Sequence, residues 1–436
     1  MGIKEIINAN SFAVIGASRE ENKVGNVIFK NLISNNIRAF PVNPSADIVL
    51  GYKSYKKISD IPEKIECAII AIPARGVVSV LKDIVKSKIK NVILISSGFS
   101  EIKNDKLTNE VKNICMKNKI NLLGPNTFGF INPNKKVNAS FSDIMPENGN
   151  IAFLSQSGAI GAAIFDKKVK LSGFVSVGNS LLSDFSDFID FYSNDNETKV
   201  IAIYMESLKE GCGKRFIDSC KKCLKPIVVL KAGKTDLGGK AAMSHTASLA
   251  SPEGVYEGIF KQCGIIEANS VKELFDISET LVKIKNPKNK VCIITNAGGP
   301  GVLCTDYLLK NNMEIPEIPE SVKKKLNGVL PFSWSHNNPV DVLGDSKAER
   351  YESCVKILNE EKFFDFFVII LTPQQMTEPE KTGDLILKLD LKKPVIFCFI
   401  GGLKVYWAIK KIKEFTPVFD ELKDMAEVLG KIIEKE

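Results

Sequence analysis

The stretch Phe12–Ser18, FAVIGAS, followed by Arg19, Lys23 and Gly25, decides how the whole chain is read. Four apolar residues without polar alternation suit a strand buried on both faces. The Gly-Ala-Ser turn and the amphipathic run after it suit a strand–loop–helix unit. The same phrase recurs as AFPVNP from Ala39, CAIIAIP from Cys67, NVILISSG from Asn91 and NLLGPN from Asn121, with helical stretches at 77–88 and 107–119. It restarts after PENGN with IAFLSQSG from Ile151, FVSVGN from Phe174, VIAIYME from Val200 and IVVLKAG from Ile227. Beyond the polar linker KNPKNK (Lys285–Lys290) come VCIITNAGGPG from Val291, FVIILTP from Phe367 and VIFCFIGG from Val395. Buried strands alternating with helices predict an α/β fold of three successive doubly wound parallel-sheet domains, at residues 1–145, 146–286 and 287–436. Ligands of such sheets sit at the carboxyl ends of the strands, where each Gly-rich turn falls.

The bulk composition agrees with this plan. The chain has 436 residues, 44% hydrophobic and 25% charged, with a net charge of +8. The excess of Lys and Arg is spread along the chain, as on the solvated surface of a Lys-rich protein, and points to neither nucleic acid nor a membrane surface. No run approaches the ~20 apolar residues of a membrane span. The opening MGIKEIINAN has no basic segment leading into an apolar one, so a cytoplasmic location is expected. Ten cysteines sit mostly in apolar segments. Cys220 and Cys223 form a lone C-x-x-C near Cys212, without the second pair or the histidines that zinc needs, and no metal site is expected in this chain.

Three turns could meet a phosphate. Gly16-Ala17-Ser18-Arg19 with Lys23 and Gly25 would present amides at a helix N-terminus. It is not G-x-G-x-x-G, and the second strand ends in Val42-Asn43-Pro44 where a nicotinamide-binding unit would place an acid. Either it is a helix-capping turn in a structural unit, or it holds a phosphate-bearing ligand without that ribose contact, of which CoA is one. Ser155-Gln156-Ser157-Gly158 opens the second such turn. Lys231-Ala232-Gly233-Lys234-Thr235 contains GKT, but Val228 stands where a Walker A loop needs its first glycine, so a nucleotide is expected elsewhere.

There are two histidines. His336, in the Asn/Pro-rich PFSWSHNNPVD, reads as structural. His245, in AAMSHTASLAS, has the small neighbours that a ring needs if a phosphate must reach it. A neutral imidazole is nucleophilic when its other nitrogen is held by an acceptor. Glu206, ending VIAIYME, is the candidate acceptor.

SHTASLA resembles the active-site loop of the NDP-forming acyl-CoA synthetases, relatives of succinyl-CoA synthetase. VIGAS, VNPS, SSGFSE, GPNTFGFINP, SQSGA, SVGN, KAGKT, TNAGGPG, NPVDVLGD and LTPQQMT resemble that family in order along the chain. The third domain resembles the ADP-forming acetyl-CoA synthetase α subunit rather than the shorter succinyl-CoA synthetase-like α subunit. A non-catalytic CoA-binding regulatory protein is the other alternative, against which the His245 loop speaks. The resemblance implies a Rossmann-like CoA-binding domain, a flavodoxin-like domain with the phosphohistidine loop, and a third flavodoxin-like ligase domain. It implies catalytic His245 and Glu206, and phosphate held by Ser155, Gln156, Ser157, Gly158, Gly178 and Asn179. It implies CoA held by Gly16, Ser18, Lys23, Gly25, Asn43, Pro44, Ile72, Pro73, Ser96, Ser97, Gly98, Phe99 and Asn126. The reaction would be acyl-CoA + ADP + phosphate ⇌ carboxylic acid + CoA + ATP. Mg-ADP or Mg-ATP would bind a separate ATP-grasp β subunit in an α2β2 heterotetramer. Two departures stand out: Ala247 where the family commonly has glycine, and Ser180-Leu181-Leu182 where it usually has Lys-Ala-Asp.

Overall fold

The structure, a computed structural model, describes residues 2–235, 237–239, 253–285 and 287–434. Contacts divide the chain into two compact units, Met1–Leu274 and Phe275–Glu436. Among the described residues no helix is long and apolar enough to cross a membrane.

The first unit holds two large sheets and a small hairpin. β1 (Ser11–Ile15), β2 (Arg38–Val42), β5 (Cys67–Ile70), β6 (Asn91–Leu94) and β7 (Asn121–Leu123) form a parallel sheet in the order β2-β1-β5-β6-β7. β3 (Ile48–Val49) and β4 (Tyr52–Lys53) make the hairpin. Side chains alternate across the first sheet. Phe12 and Val14 enter one apolar cluster, while Ala13 and Ile15 enter another on the opposite face. Burial on both faces accounts for the uninterrupted apolar run.

The second sheet has seven strands, with β8 (Gly129–Asn132), β9 (Val137–Ser140), β10 (Asn148–Ser155), β11 (Leu171–Ser176), β12 (Val200–Met205), β13 (Ile227–Lys231) and β14 (Ile266–Ala268) in the order β14-β13-β12-β10-β11-β8-β9. β8 runs antiparallel to both β11 and β9, so a hairpin closes one edge of an otherwise parallel sheet. The cluster containing Phe12 and Val14 continues through Phe130 and Ala139 into Ala152 and Val175, so the two sheets share one core.

The second unit repeats the plan alone: β15 (Val291–Thr295), β16 (Val340–Asp341), β17 (Phe366–Leu371), β18 (Val395–Phe399) and β19 (Val418–Phe419) form a parallel sheet in the order β16-β15-β17-β18-β19. Trp334 and Tyr351 are buried in its core.

Phe174 is the packing centre of the second sheet. Its ring lies 4.9 Å from that of Phe165 and 5.7 Å from that of Phe153. A Cβ at Gly161 would come within 2.5 Å of the same ring, so the helix Gly158–Asp166 rests directly on it. Phe174→Ala should therefore lower unfolding free energy by about 3–5 kcal/mol, read from denaturant titration.

Candidate functional site

The first turn leaves β1 at Ile15 and enters the helix Val24–Ser34. Gly16 has φ +92°, and its amide donates to the Val42 carbonyl at 2.9 Å. A Cβ there would lie 2.3 Å from the Ala71 carbonyl oxygen, and one at Gly25 would lie 2.1 Å from the Gly16 carbonyl oxygen. The glycines thus let the helix start press onto the turn, and the turn onto the next strand. Asn43 Nδ2 donates to the Ala17 carbonyl (2.8 Å), and the buried Asn26 donates from its Nδ2 to the Ser18 carbonyl (2.8 Å). No side chain caps the helix that begins after Lys23; the Lys23 carbonyl accepts from the amides of Asn26 (2.9 Å) and Val27 (3.0 Å). The exposed Lys23 lies 3.6 Å from Glu20.

The other loops predicted to hold CoA close around the same carboxyl edge. Ser96 donates from its hydroxyl to the Ile72 carbonyl (2.5 Å), and Pro73 begins the short 3-10 turn Ala74–Gly76. Ser97 leads into Gly98, which has φ +106°, and Phe99 is fully buried. The Asn126 amide donates to the Ser96 carbonyl at 2.9 Å. Pro44 follows Asn43, whose Oδ1 accepts from the Ser45 amide (2.8 Å).

The turn predicted to hold phosphate is built on β10. Ser155 donates from its hydroxyl to the Ser157 carbonyl (2.7 Å), and Ser157 caps the helix Gly158–Asp166 by accepting from the Ile160 amide (3.4 Å). Gln156 Oε1 accepts from the amides of Glu206 (2.6 Å) and Ser207 (3.0 Å), which ties this turn to the end of β12. Gly178 approaches the Pro125 carbonyl so closely that a Cβ would lie 2.4 Å away. Asn179 accepts at Oδ1 from Asn126 Nδ2 (3.2 Å). The residues predicted for CoA and those predicted for phosphate therefore share a border.

Glu206 is buried. His245 and Ala247 lie outside the described residues. Two residues outside the predicted set adjoin Glu206 and Asn179. Lys231 is buried, donates to the Glu206 carbonyl (2.7 Å) and the Ala232 carbonyl, and lies over the Tyr256 ring at 4.5 Å. Burial lowers its pKa, with the Glu206 charge opposing. Glu101 accepts from the Gly98 amide and from Asn179 Nδ2. Each stands inside a quoted motif, KAGKT and SSGFSE, but a hydrogen-bonding partner so distant in sequence leaves no local pattern.

The departures from the family pattern have a structural use. Ser180 has φ +53°, Leu181 is buried against the first sheet, and its amide and carbonyl bond to the Gly124 carbonyl (3.1 Å) and Lys209 Nζ (2.6 Å). Leu182 packs against the same cluster. In the second unit, Asn296 Nδ2 donates to the Thr372 carbonyl and its Oδ1 accepts from the Thr372 amide, both at 2.9 Å. This joins the TNAGGPG and LTPQQMT turns. His336 Nε2 lies 2.8 Å from the Phe332 carbonyl oxygen, and its ring stands 4.7 Å from that of Trp334. Burial raises the Cys220 thiol pKa, and among the described residues no group of three or more His, Cys, Asp or Glu could hold a metal.

Comparison with known proteins covers almost the whole chain. Residues 10–133 match a CoA binding domain, 148–281 a succinyl-CoA ligase like flavodoxin domain and 291–416 a ligase-CoA domain. The α subunit of acetate–CoA ligase [ADP-forming] II from Pyrococcus furiosus is 34% identical over 96% of this chain and 94% of its own. Acetate–CoA ligase [ADP-forming] I from Archaeoglobus fulgidus is 39% identical over 90% of this chain, which spans 58% of that longer relative. Among solved structures, the Ca. Korarchaeum cryptofilum dinucleotide forming acetyl-coenzyme A synthetase 1, in complex with phosphate and ADP, superposes with a TM-score of 0.92. It is 33% identical over 98% of this chain and 95% of its own.

The direction of the missing Gly16 side chain changes what a substitution there should do. From sequence alone the glycine keeps side chains away from a ligand, whereas its Cβ would point at the Ala71 carbonyl. Gly16→Val should therefore destabilise the ligand-free protein, by about 1–3 kcal/mol from backbone strain before any clash is counted. The check is its denaturant midpoint in the absence of CoA.

Proposed function

We propose a function from one premise: the chain belongs to the NDP-forming acyl-CoA synthetase family. It acts as the α subunit of an ADP-forming acyl-CoA synthetase and interconverts acyl-CoA, ADP and phosphate with carboxylic acid, CoA and ATP. The observation that carries this reading is the hydrogen bond from Asn126 to Asn179, which joins a loop suited to CoA to a turn suited to phosphate. Two substrates that must react with each other need sites that touch.

The uncapped start of the helix Val24–Ser34 and the glycine-bounded turn before it fit a CoA phosphate. The Ser155–Gly158 turn and Gly178-Asn179 would hold inorganic phosphate. A phosphate oxygen attacks the thioester carbonyl; a C–O bond forms, the C–S bond breaks and CoA leaves as the thiolate, which takes up a proton. His245 then attacks the phosphorus of the acyl phosphate. A P–N bond forms, the P–O bond to the acyl group breaks and the carboxylate departs. Glu206 would accept the N–H of the other ring nitrogen and offset the cationic imidazole. Backbone amides aimed at the developing charge supply most of the stabilisation, since phosphoryl transfer leaves little else to the protein.

The phosphoryl group then passes to ADP, with Mg²⁺ accompanying the nucleotide, on an ATP-grasp β subunit in an α2β2 assembly in the cytoplasm. The α-subunit name of the Pyrococcus relative, which this chain matches over nearly its full length, supports a separate partner. The longer Archaeoglobus relative has room for the nucleotide-binding half in the same chain.

With its β subunit and ATP labelled at the γ-phosphate, the protein should acquire an acid-labile, base-stable label, the signature of a phosphoramidate. His245→Ala should abolish both label and turnover. Glu206→Gln should lower the labelling rate by about 10²–10⁴-fold while leaving CoA affinity intact. A fully active His245→Ala enzyme would overturn the mechanism.

A further inference from the structure

Glu101 stands at the junction of the two substrate sites. It lies in the 3-10 turn Ser100–Ile102, after the loop Ser96–Phe99. Its carboxylate accepts from the Gly98 amide at 2.5 Å and from the Phe99 amide at 3.2 Å to each oxygen. A carboxylate therefore fills a pair of neighbouring amides in the middle of the CoA loop. The same carboxylate accepts from Asn179 Nδ2, which also lies 3.3 Å from Ser100 Oγ. Asn179 Oδ1 in turn accepts from Asn126 Nδ2 (3.2 Å), and the Asn126 amide returns to the Ser96 carbonyl (2.9 Å).

These bonds close a ring: the 96–99 loop, Glu101, Asn179, Asn126 and back to Ser96. The ring spans the first and second sheets. Bonds to an ionised carboxylate are the strong ones of such a ring, so its arms hold their geometry better than neutral amide pairs do. A shift of the CoA loop moves Glu101 with it, because Glu101 grips that loop's amides. Asn179 must follow or lose a charge-assisted bond. Asn179 also donates from its own amide to the Pro125 carbonyl (2.9 Å), so the displacement passes into the backbone of the phosphate turn.

We infer that Glu101 is a positioning residue that couples the CoA site to the phosphate site, so that occupancy of either one tightens the other. The inference rests on the sites named under the proposed function. Coupling of this kind is reciprocal, so it can be read from CoA alone. It also has a use: phosphate held in register only when CoA is seated would be spared unproductive encounters.

The experiment is calorimetric titration of the full chain with CoA, without and with saturating inorganic phosphate. Phosphate should lower the CoA dissociation constant at least about fivefold in the unsubstituted protein, the lower end of ordinary coupling. Glu101→Gln keeps the shape and removes the charge that grips both arms. Its shift should fall below about twofold, with the affinity for CoA alone little changed. Asn126→Ser cuts the same ring at a different bond. As a predicted CoA contact it can change the affinity for CoA itself, but the ratio of affinities without and with phosphate should likewise fall below about twofold, so the result does not hang on one variant. A purely structural Glu101 would weaken binding with and without phosphate alike and leave the ratio untouched, which overturns the inference. So does the absence of any phosphate effect in a protein that binds CoA. Failure of the unsubstituted chain to bind CoA at all would instead sink the proposed function.

Discussion

The core shared by the first two sheets is the constraint on which the site depends. Phe12 of β1 and Phe130 of β8 stand 6.5 Å apart inside one apolar cluster that runs on into β10 and β11. Asn31, on the helix that follows the Gly16 turn, donates to the Ser140 and Ser142 carbonyls at 2.9 and 2.6 Å. The β8–β9 hairpin is thus held by the first sheet's helix while it pairs with the second sheet. Close-packed interiors are stiff, so the two sheets cannot slide without breaking this packing. Their loops are brought edge to edge as a consequence, and the Asn126–Asn179 bond becomes possible.

The strands legible in the sequence were those buried on both faces, because only they show as unbroken apolar runs. CAII, NVIL and IAFLS belong to this class, and each forms a strand. The β8–β9 hairpin shows no such run, for the opposite reason. GFIN and VNAS carry Asn132, Asn138 and Ser140, whose polar groups are satisfied by bonds inside the fold, such as Ser140 Oγ to Asn138 Oδ1 (2.6 Å). Edge strands such as Ile266–Ala268, Val340–Asp341 and Val418–Phe419 are too short to show any period. In the site, the glycine and serine turns could be read because backbone geometry restricts which residues may stand there. Glu101 and Lys231 could not, since partners 25 and 78 positions away in sequence are created by the tertiary fold.

A second consequence concerns how polarity is rationed at the strand ends. A buried amide or carbonyl without a partner costs about 1–3 kcal/mol, so most must be satisfied within the protein. Gln156 satisfies the amides of Glu206 and Ser207, and Lys231 satisfies the Glu206 carbonyl. These bonds satisfy the backbone of Glu206 and set the direction of the strand end that bears it. At the proposed phosphate site these strand-end groups are thus fixed within the protein before an anion arrives, which favours stabilisation by fixed dipoles.

The segment Ser180-Leu181-Leu182 fits the same logic. A charged residue there would face solvent or a ligand, but two leucines are drawn onto the first sheet, with Leu181 buried. Burying a leucine contributes about 1.5–3 kcal/mol, more than an exposed ion pair would. That apolar anchor sits immediately beyond Gly178-Asn179 and holds the turn from its far side, while the Glu101–Asn179–Asn126 ring holds it from the near side. Where the family pattern places polar side chains after the turn, this chain places packing. The turn is consequently fixed by burial on one flank and by hydrogen bonds on the other. Both flanks reach the loops predicted for CoA, the packed one through the cluster that Leu181 shares with Phe99 and the hydrogen-bonded one through the ring. A response of the turn to CoA can therefore be carried by packing as well as by hydrogen bonds.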